Sequence, residues 1–76
     1  MPRYFFHIVD NDTRTPDEEG MMLPDLLSVA REALASARDL AKNDQQKKHA
    51  HDHRRIEVED ENGTVVMVQL VRSLVQ

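Results

Sequence analysis

The sequence contains no cysteine and no tryptophan, and only two glycines and three prolines. Without cysteine there is no disulfide, no thiolate nucleophile and no cysteine-based zinc site. Aromatic rings other than histidine are confined to Tyr4, Phe5 and Phe6, three consecutive residues. Long apolar runs are also missing. The longest, Val65 to Val71, is interrupted by Gln69 and falls far short of the roughly 18 apolar residues of a membrane-spanning helix. The opening residues lack the extended apolar stretch and small-residue cleavage site of a signal peptide. These absences lead to the expectation of a cytoplasmic protein without a membrane partner.

What is present is a chain of 76 residues with 10 basic and 14 acidic side chains, a formal charge of -4. A single domain, residues 1–76, is expected. A chain of this size buries roughly 60% of its unfolded surface, which is marginal for a lone monomer. It also has little room for a large enclosed pocket.

Residues 4–9 predict a strand with Tyr4, Phe6 and Ile8 on one face and Phe5, His7 and Val9 on the other. Asp10-Asn11-Asp12 predicts a turn, because Asn and Asp tolerate turn geometry and bond their own backbone. Thr13–Thr15 reads as a short returning strand, ended by Pro16, which has no amide hydrogen. An acidic loop, Asp17-Glu18-Glu19-Gly20, follows. Met21, Met22 and Met67 read as core fillers. The helix is the clearest element: Leu26, Ala30, Ala33, Leu34, Ala37, Leu40 and Ala41 recur at three- and four-residue spacing. Ser28 and Asp25 compete as its N-cap. Its alanines allow close approach to a sheet.

Beyond a polar stretch at 45–53, residues 55–59 alternate, with Ile56 and Val58 inward. Asn62-Gly63 signals a hairpin turn, and Thr64–Val71 forms the returning strand. Straight alternation puts Val66, Val68 and Leu70 on one face and Val65, Met67 and Val71 on the other. The expected fold is therefore α+β, in the order β-β-α-β-β, an antiparallel sheet of about four strands with one main helix on one face. One helix covers one sheet face. Phe5, Val9, Val65, Met67 and Val71 are assigned to the other, and a patch of that kind marks an interaction surface. A homo-oligomer using that face or the C-terminal strand is the expectation, with the tail Leu74-Val75 as the competing cover.

The opening M-P-R-Y-F-F-H, the D-E-E-G at 17–20, the L-P-D at 23–25 before an Ala/Arg-rich helix and the E-N-G at 61–63 together resemble one family. It is a set of very small proteins of rhizobia and related alphaproteobacteria, classed as a domain of unknown function. The resemblance spans nearly the whole chain. It implies a small α+β domain and brings no established activity or catalytic residues to carry over. The segment 43–53 departs from that pattern by its richness in Lys, Gln and His. A second, fold-level resemblance is to antitoxin domains of the HicB type, which also join an N-terminal hairpin to an Ala-rich helix.

Several clusters carry possible chemistry. His49, His51 and His53 fall on one face of an extended segment, where three imidazoles suit a zinc, nickel or copper ion; the competing reading is a solvated loop. The string is one residue short of the H-x-H-x-D-H ligand run of the metallo-β-lactamase fold, which needs a far longer chain. His7 has the chemistry of a proton-transfer residue, with Asp10 or Glu57 to orient it; the competing reading is a buried, hydrogen-bonded histidine. The acids at 17–19 lack the spacing of a calcium loop. Lys42, Lys47, Lys48, Arg54 and Arg55 outweigh Asp44 and Asp52 by three charges, and Lys47, Lys48, Arg54 and Arg55 are the candidate phosphate contacts. The acidic loops oppose that use, and no nucleic-acid motif appears. No cofactor is expected. The preferred functional class is a small non-enzymatic interaction or regulatory module with an unknown protein partner. The alternative is an antitoxin-like or nucleic-acid-associated regulator acting through 42–55.

Overall fold

In the computed structural model, which describes residues 1–43 and 54–71, five strands and one helix follow one another along the chain. They are β1 (Arg3–Asp10), β2 (Thr13–Thr15), β3 (Met21–Met22), α1 (Leu26–Asn43), β4 (Arg54–Glu59) and β5 (Val65–Leu70). The strands form one antiparallel sheet of order β2-β1-β4-β5. β3 pairs with the N-terminal end of β1, Arg3 opposite Met22 and Tyr4 opposite Met21. The α+β class and the β-β-α-β-β frame hold, with the short β3 added before the helix.

Turn chemistry sets the two hairpins. Asn11, with φ 55°, closes the two-residue link between Asp10 and Thr13. Asn accepts this left-handed backbone more readily than most residues. The second hairpin has a three-residue loop, not a two-residue Asn-Gly turn. Asp60 Oδ1 accepts from the backbone N–H of Asn62 and of Thr64, while Gly63 N–H donates to the Asp60 carbonyl. Only Gly63 has positive φ there, at 81°, as expected for a turn closed by a left-handed residue.

Asp25, not Ser28, caps the helix: the Ser28 N–H donates to Asp25 Oδ1 at 2.8 Å. That bond, followed by the Ser28 hydroxyl, holds the Asp25 carboxyl below its usual range. Val29, Ala33 and Ala37 are fully buried and face the sheet. The stripe therefore begins at Val29. Leu26, expected within it, lies in the first turn and is 53% exposed. Small side chains at 33 and 37 let the helix axis sit close to β4 and β5, which are the strands it contacts most. The core joins these residues to Tyr4, Ile56, Val58 and Val71, with Phe6, Leu23, Leu40, Val66 and Met67 packed around them. Met21 and Met22 stay largely outside the core and are exposed.

The facing of β5 corrects the alternation argument. Its register with β4 runs evenly from Arg55–Leu70 to Val58–Met67, then shifts so that Glu59 lies opposite Val65. Val66 is the extra residue of a bulge, and a bulge resets the two-residue alternation. Val66 and Met67 consequently both pack on the helix side. Val71 continues the pairing, its N–H donating to the Arg54 carbonyl, and is fully buried in the core. Met67 and Val71 thus do not belong to the second face. Val68 and Leu70, half exposed, take their place beside Val65.

Candidate functional site

The sheet face away from the helix is organised around His7. Odd-numbered residues of β1 point to it: Phe5, His7 and Val9. Opposite them on β4 stand Glu59, Glu57 and Arg55, and beyond on β5 stand Val65, Val68 and Leu70. Val9 is also flanked on β2 by Arg14, and it is buried although it lies outside the helix-side core. Long Arg side chains on both neighbouring strands place apolar stems beside it while their heads pair with Glu59 and Glu57.

Two ion pairs cross or line this face. Arg55 Nε meets Glu57 Oε2 at 2.9 Å, and Arg14 Nη2 meets Glu59 Oε1 at 2.6 Å. Diagonal reach across paired strands brings the same Glu59 oxygen to 2.5 Å from His7 Nε2. On its other side, His7 Nδ1 accepts the backbone N–H of Asp17 at 3.0 Å. A peptide N–H can only donate, so Nδ1 carries the lone pair and the ring proton sits on Nε2 beside Glu59. The imidazole stacks against Phe5 with an interplanar angle of 7°.

Asp17 is the second half of the arrangement. Its Oδ2 accepts from Phe6 N–H, and its Oδ1 accepts from the N–H groups of Glu19 and Gly20. Burial works to raise the Asp17 carboxyl, but those backbone bonds, with His7 nearby, outweigh it and hold the group below its usual range. The loop 16–20 is thereby tied to β1 at two points. Gly20, with φ 72°, lets it press against Phe5: a Cβ there would lie 2.9 Å from the Phe5 ring and from Arg3 Cγ. Arg3 adds a bond from Nη1 to the Glu19 carbonyl.

Both nitrogens of His7 are engaged, and the side chain is 8% exposed. A general base must reach its substrate's proton within hydrogen-bond distance, and this imidazole has no nitrogen left to do so. Its orienting groups are Glu59 and the Asp17 amide, not Asp10 or Glu57. Asp10 falls on the opposite parity of β1, and Glu57 is taken up by Arg55. Of the candidate phosphate contacts, Arg55 is held by Glu57, and Arg54 Nη2 donates to the Leu40 carbonyl at 3.5 Å. Lys47 and Lys48 lie outside the described residues, as do His49, His51, His53 and the tail Leu74-Val75. Among the described residues no three His, Asp or Glu side chains are grouped to hold a metal ion. No helix in the described residues is long and apolar enough to cross a membrane.

One groove opens on the helix side, where α1 leans over β4 and β5 and leaves part of β1 uncovered. It holds about 210 Å³ and is lined by Phe6, Ile8, Ser36, Asp39, Leu40 and Ile56. Small-molecule sites usually span roughly 300–1,000 Å³, so this groove is small for one.

Comparison with known families matches residues 3–71, from the first residue of β1 to Val71, buried in the core. The chain belongs to the family described as Domain of unknown function (DUF6894). No curated protein and no solved structure matches it. Within that family match lie both anchors of the loop over β1, His7 and Asp17. Asp17 and Gly20 were legible only as an acidic loop. Their spacing, an Asp three residues before a Gly, is the one local sign of a carboxylate that caps its own turn.

Proposed function

We propose that the chain is a small non-enzymatic interaction module that acts as a homo-oligomer, with β5 and the adjoining open sheet face as the contact surface. The observation that carries this reading is the outer strand itself. Val65, Val68 and Leu70 expose 48%, 51% and 47% of their surface on one strand, and residues 65–70 contain no charged side chain. Edge strands that remain single are usually guarded by Lys, Pro or inward charges, and β5 carries none of these. An uncharged strand meets no like-charge repulsion against its own copy, which favours a second copy over a charged partner.

Magnitudes choose the mode of contact. Removing the remaining surface of these three side chains from water on both copies contributes on the order of 4–8 kcal/mol. Association costs about 4–15 kcal/mol in lost freedom. Side-chain contact alone reaches only the lower part of that range, and antiparallel backbone pairing along the outer edge of β5 adds about 0.5–1.5 kcal/mol for each hydrogen bond. Engagement of both His7 nitrogens supports the non-enzymatic part of the reading. The ion pair of Arg55 with Glu57 makes the nucleic-acid alternative the weaker one.

Sedimentation velocity over a wide concentration range tests the proposal. The wild type is expected to move from monomer to dimer. Val68→Lys, which places a charge at the centre of β5, is expected to stay monomeric with an unchanged circular dichroism spectrum. A wild type that remains monomeric at all concentrations would overturn the reading.

A further inference from the structure

His7 is the only buried polar or charged residue among the described residues, and the proposed contact residues on β5, two strands away on the same sheet face, make no use of it. Its geometry has a consequence of its own. The Asp17 N–H to Nδ1 bond exists only while Nδ1 is unprotonated. An imidazolium carries N–H on both nitrogens, and Nδ1–H cannot face a peptide N–H. A proton on His7 must therefore displace the Asp17 amide. The displaced residue also supplies the carboxylate that caps Phe6, Glu19 and Gly20, so two of the loop's three ties to β1 meet at one residue, the third being Arg3 Nη1 on the Glu19 carbonyl.

The charged groups around the ring decide what competes. From β4, Glu59 lies against Nε2 and favours the charged ring, while Arg14 of β2 binds the same oxygen and weakens that pull. Glu57, opposite His7 on β4, is paired with Arg55. The Asp17 carboxylate also favours the charged ring. β3 and β5 contribute no charged side chain. The Asp17 N–H, bound to Nδ1, is compatible only with a ring whose Nδ1 carries no proton.

We infer that the loop 16–20 is a proton-controlled flap, latched over Phe5 by neutral His7 and released when Nδ1 takes up a proton. Release withdraws Gly20 from the Phe5 ring and opens an aromatic surface on the outer face of β1. The Asp17 carboxyl, held below its usual range, stays ionised through the pH interval in which imidazoles titrate, so its own protonation belongs to a separate and more acid step.

The experiment uses the full chain, labelled with ¹⁵N, between about pH 8 and pH 5, the interval that brackets ordinary imidazole titration. Side-chain nitrogen shifts are expected to report the Nε2–H tautomer at the alkaline end. Amide exchange at Asp17, Glu19 and Gly20, corrected for its intrinsic pH dependence, is expected to speed up by about tenfold with the same midpoint as His7, the factor for losing one hydrogen bond. Amides of Ile56 and Val58 are expected to keep their protection. His7→Asn keeps an acceptor near Nδ1 that does not titrate, and is expected to leave loop exchange flat with pH. The Nδ1–H tautomer, loop protection that persists after His7 has titrated, or the same pH response in His7→Asn would each overturn the inference. If His7→Asn does not fold, coincidence of the two wild-type midpoints supports the flap and their separation overturns it.

Discussion

At the scale of single residues, two glycines with similar backbones do different work. Gly63 has φ 81° and open space where a Cβ would stand, whereas Gly20 has φ 72° and the Phe5 ring 2.9 Å from that position. Gly63→Ala incurs only the left-handed backbone penalty, about 1–2 kcal/mol. Gly20→Ala adds a steric conflict with Phe5 and Arg3 and is expected to cost clearly more. Urea denaturation of the two variants checks the order, and equal losses would show that the loop moves aside freely. Val9 makes a related point about burial: on a strand face the helix never reaches, it is 6% exposed. Its neighbours in the register are Arg14 and Arg55, residues the sequence presents only as charges.

At the scale of elements, the helix and both hairpins were legible because their signals are local. A three- and four-residue apolar spacing, an Asp before the first turn and Asn or Gly in the turns act within a few residues of one another. Even so, the stripe was displaced at its start. Leu26 fits the spacing but precedes the point where α1 meets the sheet, and Val29 is the residue that faces Ile56 and Val58 in the core. Ala37, fully buried, sets how closely α1 approaches. Ala37→Leu is expected to destabilise by roughly 1–3 kcal/mol through overpacking, read as a lower denaturation midpoint at constant far-ultraviolet circular dichroism. A neutral outcome would mean that the helix lifts into the neighbouring groove at Phe6 and Ile8. The facing of β5 was not legible. Val-Val-Met-Val is apolar on both faces, so nothing in its composition marks the extra residue at Val66, and the bulge appears only through pairing with β4.

At the scale of the whole molecule, the uncharged outer strand β5 is the ground for the proposed association with a second copy. A dimer that binds only the folded chain raises stability with concentration by mass action. The melting temperature of the wild type is therefore expected to climb with protein concentration, and that of Val68→Lys to stay constant; calorimetry at several concentrations distinguishes them. By itself the sequence determined the α+β class, the order of the main elements, the two turns and the division between a helix-covered and an open sheet face. Those features rest on periodicity and turn chemistry, which act over short stretches of chain. Only the tertiary structure decided that Glu59 and the Asp17 amide flank His7, that Gly20 lies on Phe5, and that Met67 and Val71 are core while Val68 and Leu70 are surface. Each of these depends on strand register between segments far apart in the chain, and a single shift of register exchanges which side chains meet.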